Sequence, residues 1–194
     1  MSNKSNEISS VSIPDSVIYI DDDAFAMNNL DSVVIPDSVR VIGAGAFWRN
    51  ILTSVSIGAG VIEIREDAFA WNRLDSVTIP DSVRYIGEWA FAGNYLTSIS
   101  IGSGISEIAE GVFSSNQLES VTIPDAVTRI RGGAFANNPL TSVNIGTNVD
   151  IDGPLSSVAF EDFFSTSFAA FYESHGRRAG VYTYFGGEGS VEFR

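Results

Sequence analysis

Leucine recurs every 22 residues along this chain, at Leu30, Leu52, Leu74, Leu96, Leu118 and Leu140, and Ile8 stands one period earlier. The seven copies follow one another without insertion. A unit this short cannot bury its own apolar face, so a strict repeat in this range must stack like on like into a solenoid. Other columns keep the same step. Ile13 to Ile145 and Ile20 to Ile130 form two of them, and Phe25, Phe47, Phe69, Phe91, Phe113 and Phe135 form a third. Asn28, Asn50, Asn72, Asn94, Asn116 and Asn138 form a fourth, read as a structural ladder that satisfies backbone groups left unpaired by a tight turn.

Within a unit, "SVTIP" alternates polar and apolar residues, which predicts a short strand with Val77 and Ile79 inward and Ser76 and Thr78 outward. Pro or Gly ends each strand: Pro14, Pro36, Gly58, Pro80, Gly102, Pro124 and Gly146. The segment "VRYIGEWAF" brings the chain back, with "AF" in a helical or 3₁₀ turn or with a second short strand around Ile86. From the second copy onward, Pro-type and Gly-type turns alternate, as do Asp31, Thr53, Asp75, Thr97, Glu119 and Thr141 after the leading Leu. The duplicated unit is therefore a double coil of 44 residues, twice the basic period.

"LDSVTIPDSVRYIGEWAFAGNYL" resembles the treponemal-type, or BspA-like, leucine-rich repeat family, over residues 8 to 151. Many members carry Cys after "AF". Here that place holds Asn and the next Leu comes one residue sooner, so the chain is similar to a cysteine-free variant. The resemblance implies a curved right-handed solenoid with short parallel strands on the concave side. It also implies adhesion or interaction at a cell surface, or secretion, and it transfers no catalytic residue.

The period fails after Ile151. Residues 152–194 are expected to form a C-terminal cap. Phe160, Phe163, Phe164, Phe168, Phe171 and Tyr172 are spaced for one helix face, Gly176 suits its end, and Val181–Tyr184 with Ser190–Phe193 reads as a hairpin. A solenoid end needs such a cover, because it exposes core and strand edges. The N-terminus shows no comparable cap, so its first coil is the expected surface for a weak homodimer, opposed by the like charges of Asp21–Asp23.

A net charge of −13 argues against nucleic acid and anionic membrane surfaces as partners, and no apolar run is long enough to span a bilayer. The start lacks the apolar stretch of a signal peptide. The chain has no Cys, and no arrangement of residues calls for a cofactor, a metal or a catalytic centre. The lone His175 sits in a basic cluster that suits a helix C-terminus. Asp15, Asp37, Asp81 and Asp125, which follow Pro in the turn, are read as Asx turns.

The expected function is a non-catalytic protein-interaction or adhesion module with a protein partner. The outward strand positions are Ser, then Ser, Thr, Val or Asn, and lack the aromatic and Arg anchors of binding hot spots. Those anchors lie elsewhere, at Trp48, Trp71, Trp89, Tyr85 and Tyr95, which are the candidate ligand-binding residues unless they merely pack over neighbouring coils. Two other readings compete: an assembly spacer pairing through its N-terminal edge, and a Ser/Thr grid binding ice or carbohydrate.

Overall fold

The computed structural model describes residues 8–152, 172–185 and 190–193. It is a parallel-strand solenoid of about six turns, as the repeat requires. On one face run β2 (Ser32–Ile35), β4 (Ser54–Ile57), β6 (Ser76–Thr78), β8 (Ser98–Ser100), β10 (Ser120–Thr122) and β12 (Ser142–Ile145). On the return side run two-residue strands: β1 (Tyr19–Ile20), β3 (Val41–Ile42), β5 (Glu63–Ile64), β7 (Tyr85–Ile86), β9 (Glu107–Ile108), β11 (Arg129–Ile130) and β13 (Asp150–Ile151). The short strand suggested for the return segment is present at Tyr85–Ile86, and Trp89, Ala90 and Phe91 follow in a turn whose left-handed Trp89 makes it neither helical nor 3₁₀. In β6 Val77 is buried while Ser76 and Thr78 face solvent.

Pairs align one period apart, as in Ser76↔Ser98 and Tyr19↔Val41. At the last coil the return register shortens by one, with Arg129 opposite Asp150 and Ile130 opposite Ile151. One residue is missing between Val149 and Ile151 relative to Val127 and Ile130, so the repeat begins to fail within this coil.

The core is the set of columns read from the sequence. Phe47, Phe69, Phe91, Phe113 and Phe135 are fully buried, as are the six leucines to within a few per cent. From Phe25 to Phe135 each ring stacks on the next, with centroids 5.2–5.8 Å apart and planes within 14°. Each such contact is worth roughly 0.5–1.5 kcal/mol beyond the area it buries. Beside the rings, each Asn amide ties two coils. Asn94 Nδ2 donates to Phe91 O of its own turn (3.1 Å) and to Phe69 O of the preceding one (3.0 Å), while its Oδ1 accepts from Leu74 N–H (3.1 Å). Asn50, Asn72, Asn116 and Asn138 repeat this set.

The 44-residue beat has a physical cause. The Ser-face strands do not form one sheet: β2 pairs with β4, β6 with β8, and β10 with β12. Inside each pair the Thr after the leading Leu bonds twice to the Asp or Glu carbonyl of the coil before. Thr97 N–H and Oγ1 both reach Asp75 O, at 2.9 and 3.3 Å, and Thr53 and Thr141 do the same. The turn Asp also reaches across: Asp37 Oδ1 accepts from Ala59 N–H, and Asp81 Oδ1 from Ser103 N–H, both at 2.7 Å. These two carboxylates therefore bond to the next coil, where Asx turns within their own coil were expected. The Ser103 backbone and hydroxyl hydrogen bonds hold the Asp81 carboxyl below its usual range.

Arg40 completes the clasp, donating to Asp37 O and to Gly60 O in the next coil. A Cβ on Gly60 would collide with that guanidinium and with Asp37 O, and Gly104 stands in the same relation to Arg84 and Asp81 O. Where the Arg is replaced by Thr128, the Gly is replaced by Asn148, so the two columns change together. The first copy has no partner of the Gly type, and its Ser10–Ile13 segment forms no strand.

At the other end β12 is joined antiparallel by β14 (Gly180–Phe185), which turns back into β15 (Ser190–Phe193). The hairpin read from the sequence thus lies along the last Ser-face strand. Tyr172 is buried against Tyr182, and its hydroxyl donates to Gly146 O (2.6 Å) and accepts from Val149 N–H (3.2 Å). In other coils the equivalent groups bond to each other across the turn, as Val127 N–H does to Pro124 O, and here the Tyr172 hydroxyl bridges them. The aromatic helix expected over Phe160–Tyr172 lies outside the described residues, Tyr172 excepted. A chain of ion pairs runs Glu107–Arg131–Asp152–Arg129–Asp150–Arg177–Glu173 and links three return strands to this segment.

The ring ladder makes a direct prediction. Phe91→Ala removes two stacking contacts and leaves a void, at a cost of about 3–5 kcal/mol. A urea melt should show a clearly lowered midpoint, and an unchanged one would mean the column is not the core.

Candidate functional site

Two left-handed residues per coil shape the turn that carries the aromatics. One column holds Asp23, Gly45, Asp67, Trp89, Gly111 and Gly133, and the other holds Met27, Arg49, Trp71, Gly93, Ser115 and Asn137, all with φ between 52° and 70°. The coil closure demands this geometry whatever residue is present. A bulky side chain there costs roughly 1–2 kcal/mol relative to glycine. Trp71 and Trp89 accept that strain, and each lies over the glycine one coil on. A Cβ on Gly93 would come within 3.0 Å of the Trp71 indole, and one on Gly111 within 2.5 Å of the Trp89 indole.

Packing on a neighbouring coil therefore accounts for one face of each ring, and the rest stays in water. Trp71 is 57% exposed, Tyr95 54% and Trp89 40%. Trp71 and Tyr95 share an open groove of about 320 Å³, floored by Gly93 and bordered by Ile51, Arg73 and Ser115. The other three candidates stand outside this groove. Trp48 is half-buried beneath the Arg49 guanidinium, 4.6 Å from the ring centre. Tyr85, on β7, donates its hydroxyl to Glu66 Oε1 at 2.8 Å. The periodicity marked all five aromatics, but it could not show which of them meet, because Trp71 and Tyr95 belong to different columns.

The Ser face offers less. Its strands are hydrogen-bonded as a ladder only within coil pairs, and Val34, 68% exposed, interrupts the hydroxyl rows. Among the described residues no group of three or more His, Cys, Asp or Glu is placed to hold a metal ion. Among them, too, no helix is long and apolar enough to cross a membrane. His175 is exposed, with Ser174 Oγ 3.0 Å from its Nδ1, a contact between neighbours on a turn.

Coils of this length, stacked through Leu, Phe and Asn columns with strands on the Ser face, define a leucine-rich-repeat solenoid. The chain belongs to the family described as BspA type leucine rich repeat region, matched over residues 2–72 and 41–165. Among solved structures it is similar to the pneumococcal vaccine antigen PcpA, with 22% identity, a TM-score of 0.61, and coverage of 68% of this chain and 36% of that one. The chain thus spans about a third of PcpA's length. It also matches a leucine rich cell surface protein from Faecalibacterium prausnitzii A2-165 at 18% identity and a TM-score of 0.32, covering 78% of this chain and 72% of that one. A leucine-rich repeat protein from Bacteroides ovatus matches with the same identity and TM-score, covering 72% and 56% of the two chains. No curated protein matches the sequence.

The Tyr85–Glu66 bond gives this flank a pH signature. The hydrogen bond to Glu66, with burial and the charges of Glu66, Glu88 and Glu63 behind it, pushes the Tyr85 phenol up to about 12. The folded chain therefore favours the neutral phenol. That contribution to stability is whole below about pH 10, the ordinary tyrosine value, and is lost as pH rises through about 12. A difference titration of parent against Tyr85→Phe, followed by tyrosinate absorbance, should place this phenol late. Glu66→Gln should return it toward the ordinary value. An unshifted Tyr85 would mean that the bond is not made in solution.

Proposed function

We propose that this protein is a non-catalytic protein-interaction module, acting in adhesion at a cell surface, and that it binds through the aromatic flank centred on Trp71 and Tyr95. The observation that carries this reading is the exposed Trp71–Tyr95 groove. Trp71 is placed by coil closure, Tyr95 lies beside it, and both rings stay largely in water although glycine takes the Trp71 position one coil later. Binding hot spots are enriched in Trp, Tyr and Arg, and a pre-ordered ring loses little entropy on engagement. Membership of the family supports the class of function, since its repeat is a stacking scaffold whose variable outward positions are free to bind. PcpA, a vaccine antigen with the same fold, makes surface display the expectation to test.

A second reading rests on the N-terminal end. There Ile8, Ile18 and Tyr19 are exposed beside a hollow of about 260 Å³ lined by Val11, Ile13, Val17 and Phe25. A second copy meeting this end would form a weak homodimer, and sedimentation across a salt series separates that reading from adhesion. Association that rises with salt supports it, and a monomer throughout removes it.

The adhesion reading is tested by presenting the chain to a panel of extracellular-matrix and host-surface proteins. For whichever protein is bound, Trp71→Ala should weaken binding by about 2 kcal/mol, roughly thirtyfold. Ser76→Arg, on the strand face, should leave it within a factor of a few. The reverse pattern would move the site to the Ser face.

A further inference from the structure

We propose that the Trp71–Tyr95 groove takes an acidic polypeptide segment, an apolar side chain of the partner lying between the rings with a neighbouring carboxylate on Arg73 or Arg49. This deepens the reading above and rests on it. The observation behind it is the fate of the arginines. The chain has 24 acidic residues against 11 basic ones, so an Arg on this surface ordinarily finds a carboxylate. Arg65, Arg129, Arg131 and Arg177 do. Arg40 and Arg84 are committed to backbone carbonyls. Among the described residues that leaves Arg49, Arg73 and Arg178 without a carboxylate. Arg178 belongs to the C-terminal segment, whereas Arg73 lies beside Trp71 and Arg49, stacked over Trp48, stands on the same corner one coil earlier. Arg49 occupies the Trp71 position one coil earlier, and Arg73 lines the groove itself.

The local charge is equally one-sided. The corner segments 26–30, 48–52, 70–74, 92–96, 114–118 and 136–140 contain no Asp or Glu, although acidic residues are spread through the rest of every coil. The acidic residues that directly follow these segments, Asp31, Asp75 and Glu119, stand at the start of the Ser face, where Asp31 and Asp75 accept from Ser32 Oγ and Ser76 Oγ. A guanidinium without a carboxylate beside an aromatic groove matches one with its planar fork, and Arg clusters read acidic motifs in this way. The net charge of −13 repels an anionic partner at a distance, but that field is screened beyond about 8 Å at physiological salt, while the contact with Arg73 is not.

A peptide fits better than a glycan for a reason internal to the ladder. The groove is bordered by Asn50, Asn72 and Asn94, the residue types that ordinarily bind sugar hydroxyls, yet all three amides are buried and engaged between coils. Sugar hydroxyls entering the groove would find no free amide, only Arg73 and the Tyr95 and Ser115 hydroxyls, and polar groups left unpaired oppose binding. An apolar side chain needs only the ring faces, and the carboxylate needs only the arginines.

The test titrates the full chain, at about 0.15 M salt, with short synthetic peptides carrying a central Phe flanked by Glu, by Gln or by Lys. Polygalacturonate serves as an acidic glycan. Binding is read by calorimetry and tryptophan fluorescence. The Glu peptide should bind at least tenfold more tightly than the Gln peptide, and the Lys peptide more weakly still. Arg73→Gln, alone or with Arg49→Gln, should abolish that preference with the melting temperature unchanged, while Arg178→Gln should preserve it. Equal binding of the three peptides, lost in Trp71→Ala, would overturn the acidic assignment and leave the aromatic flank standing. Tighter, Trp71-dependent binding of polygalacturonate would overturn the peptide in favour of a glycan. Failure of the Glu peptide to bind at about millimolar concentration would overturn the proposal as well, and the flank would then be judged by the protein panel alone.

Discussion

The buried asparagine amide is the contact on which the rest of this solenoid depends. Stacked coils hold together through apolar columns, but hydrophobic burial is non-directional and would tolerate a coil that slid or twisted. The amide is directional. In the middle of the stack each Asn fills both N–H positions and one acceptor site, on atoms from two successive coils. It thereby sets the turn between Phe and the next Leu, stacks the Phe rings nearly parallel, and forces the residue before it into the left-handed region. The placement of Trp71 over Gly93 follows from that forced geometry. A groove built on this corner is rigid because its floor is the ladder.

A second layer of contacts turns single coils into pairs. Thr97 on Asp75, Asp81 on Ser103 and Arg84 beside Gly104 all act within a pair, and the Ser-face strands pair by the same rule. Charged groups are drawn into these clasps and into the ion-pair chain at the C-terminal end. What is left over is informative for that reason. On an acidic protein most of whose described arginines are held by carboxylates or backbone carbonyls, Arg73 in the groove and Arg49 on Trp48, neither with a carboxylate, mark a surface with binding capacity to spare.

Much of this was legible before any coordinates. Equal spacing of Leu, Phe and Asn translates directly into stacked columns, because each coil meets only its neighbours and the register is the period. The inward set of Val77 and Ile79 follows from the pleat. The alternation of Asp with Thr and of Pro with Gly was visible, but its meaning was not. It depends on contacts between residues 22 apart, such as Asp81 with Ser103, and local turn chemistry pointed to Asx turns instead. The aromatics were visible as a set, while their division into one groove and three separate positions required the coil path. Strain at Trp71 left no mark in the sequence beyond a glycine at the same position one coil later.

Amide hydrogen exchange at the leucine N–H groups tests the central claim most directly. In the parent, Leu74 N–H should exchange as slowly as the core strands, because Asn94 Oδ1 is its acceptor. In Asn94→Ala the Leu74 amide should exchange at least about tenfold faster, the change expected when a hydrogen bond worth 1–3 kcal/mol is removed. Leu118, two coils away and capped by Asn138, should stay protected. If Leu74 remained as slow in the variant as in the parent, the ladder would not be what holds the coils in register, and the rigidity claimed for the aromatic groove would fall with it.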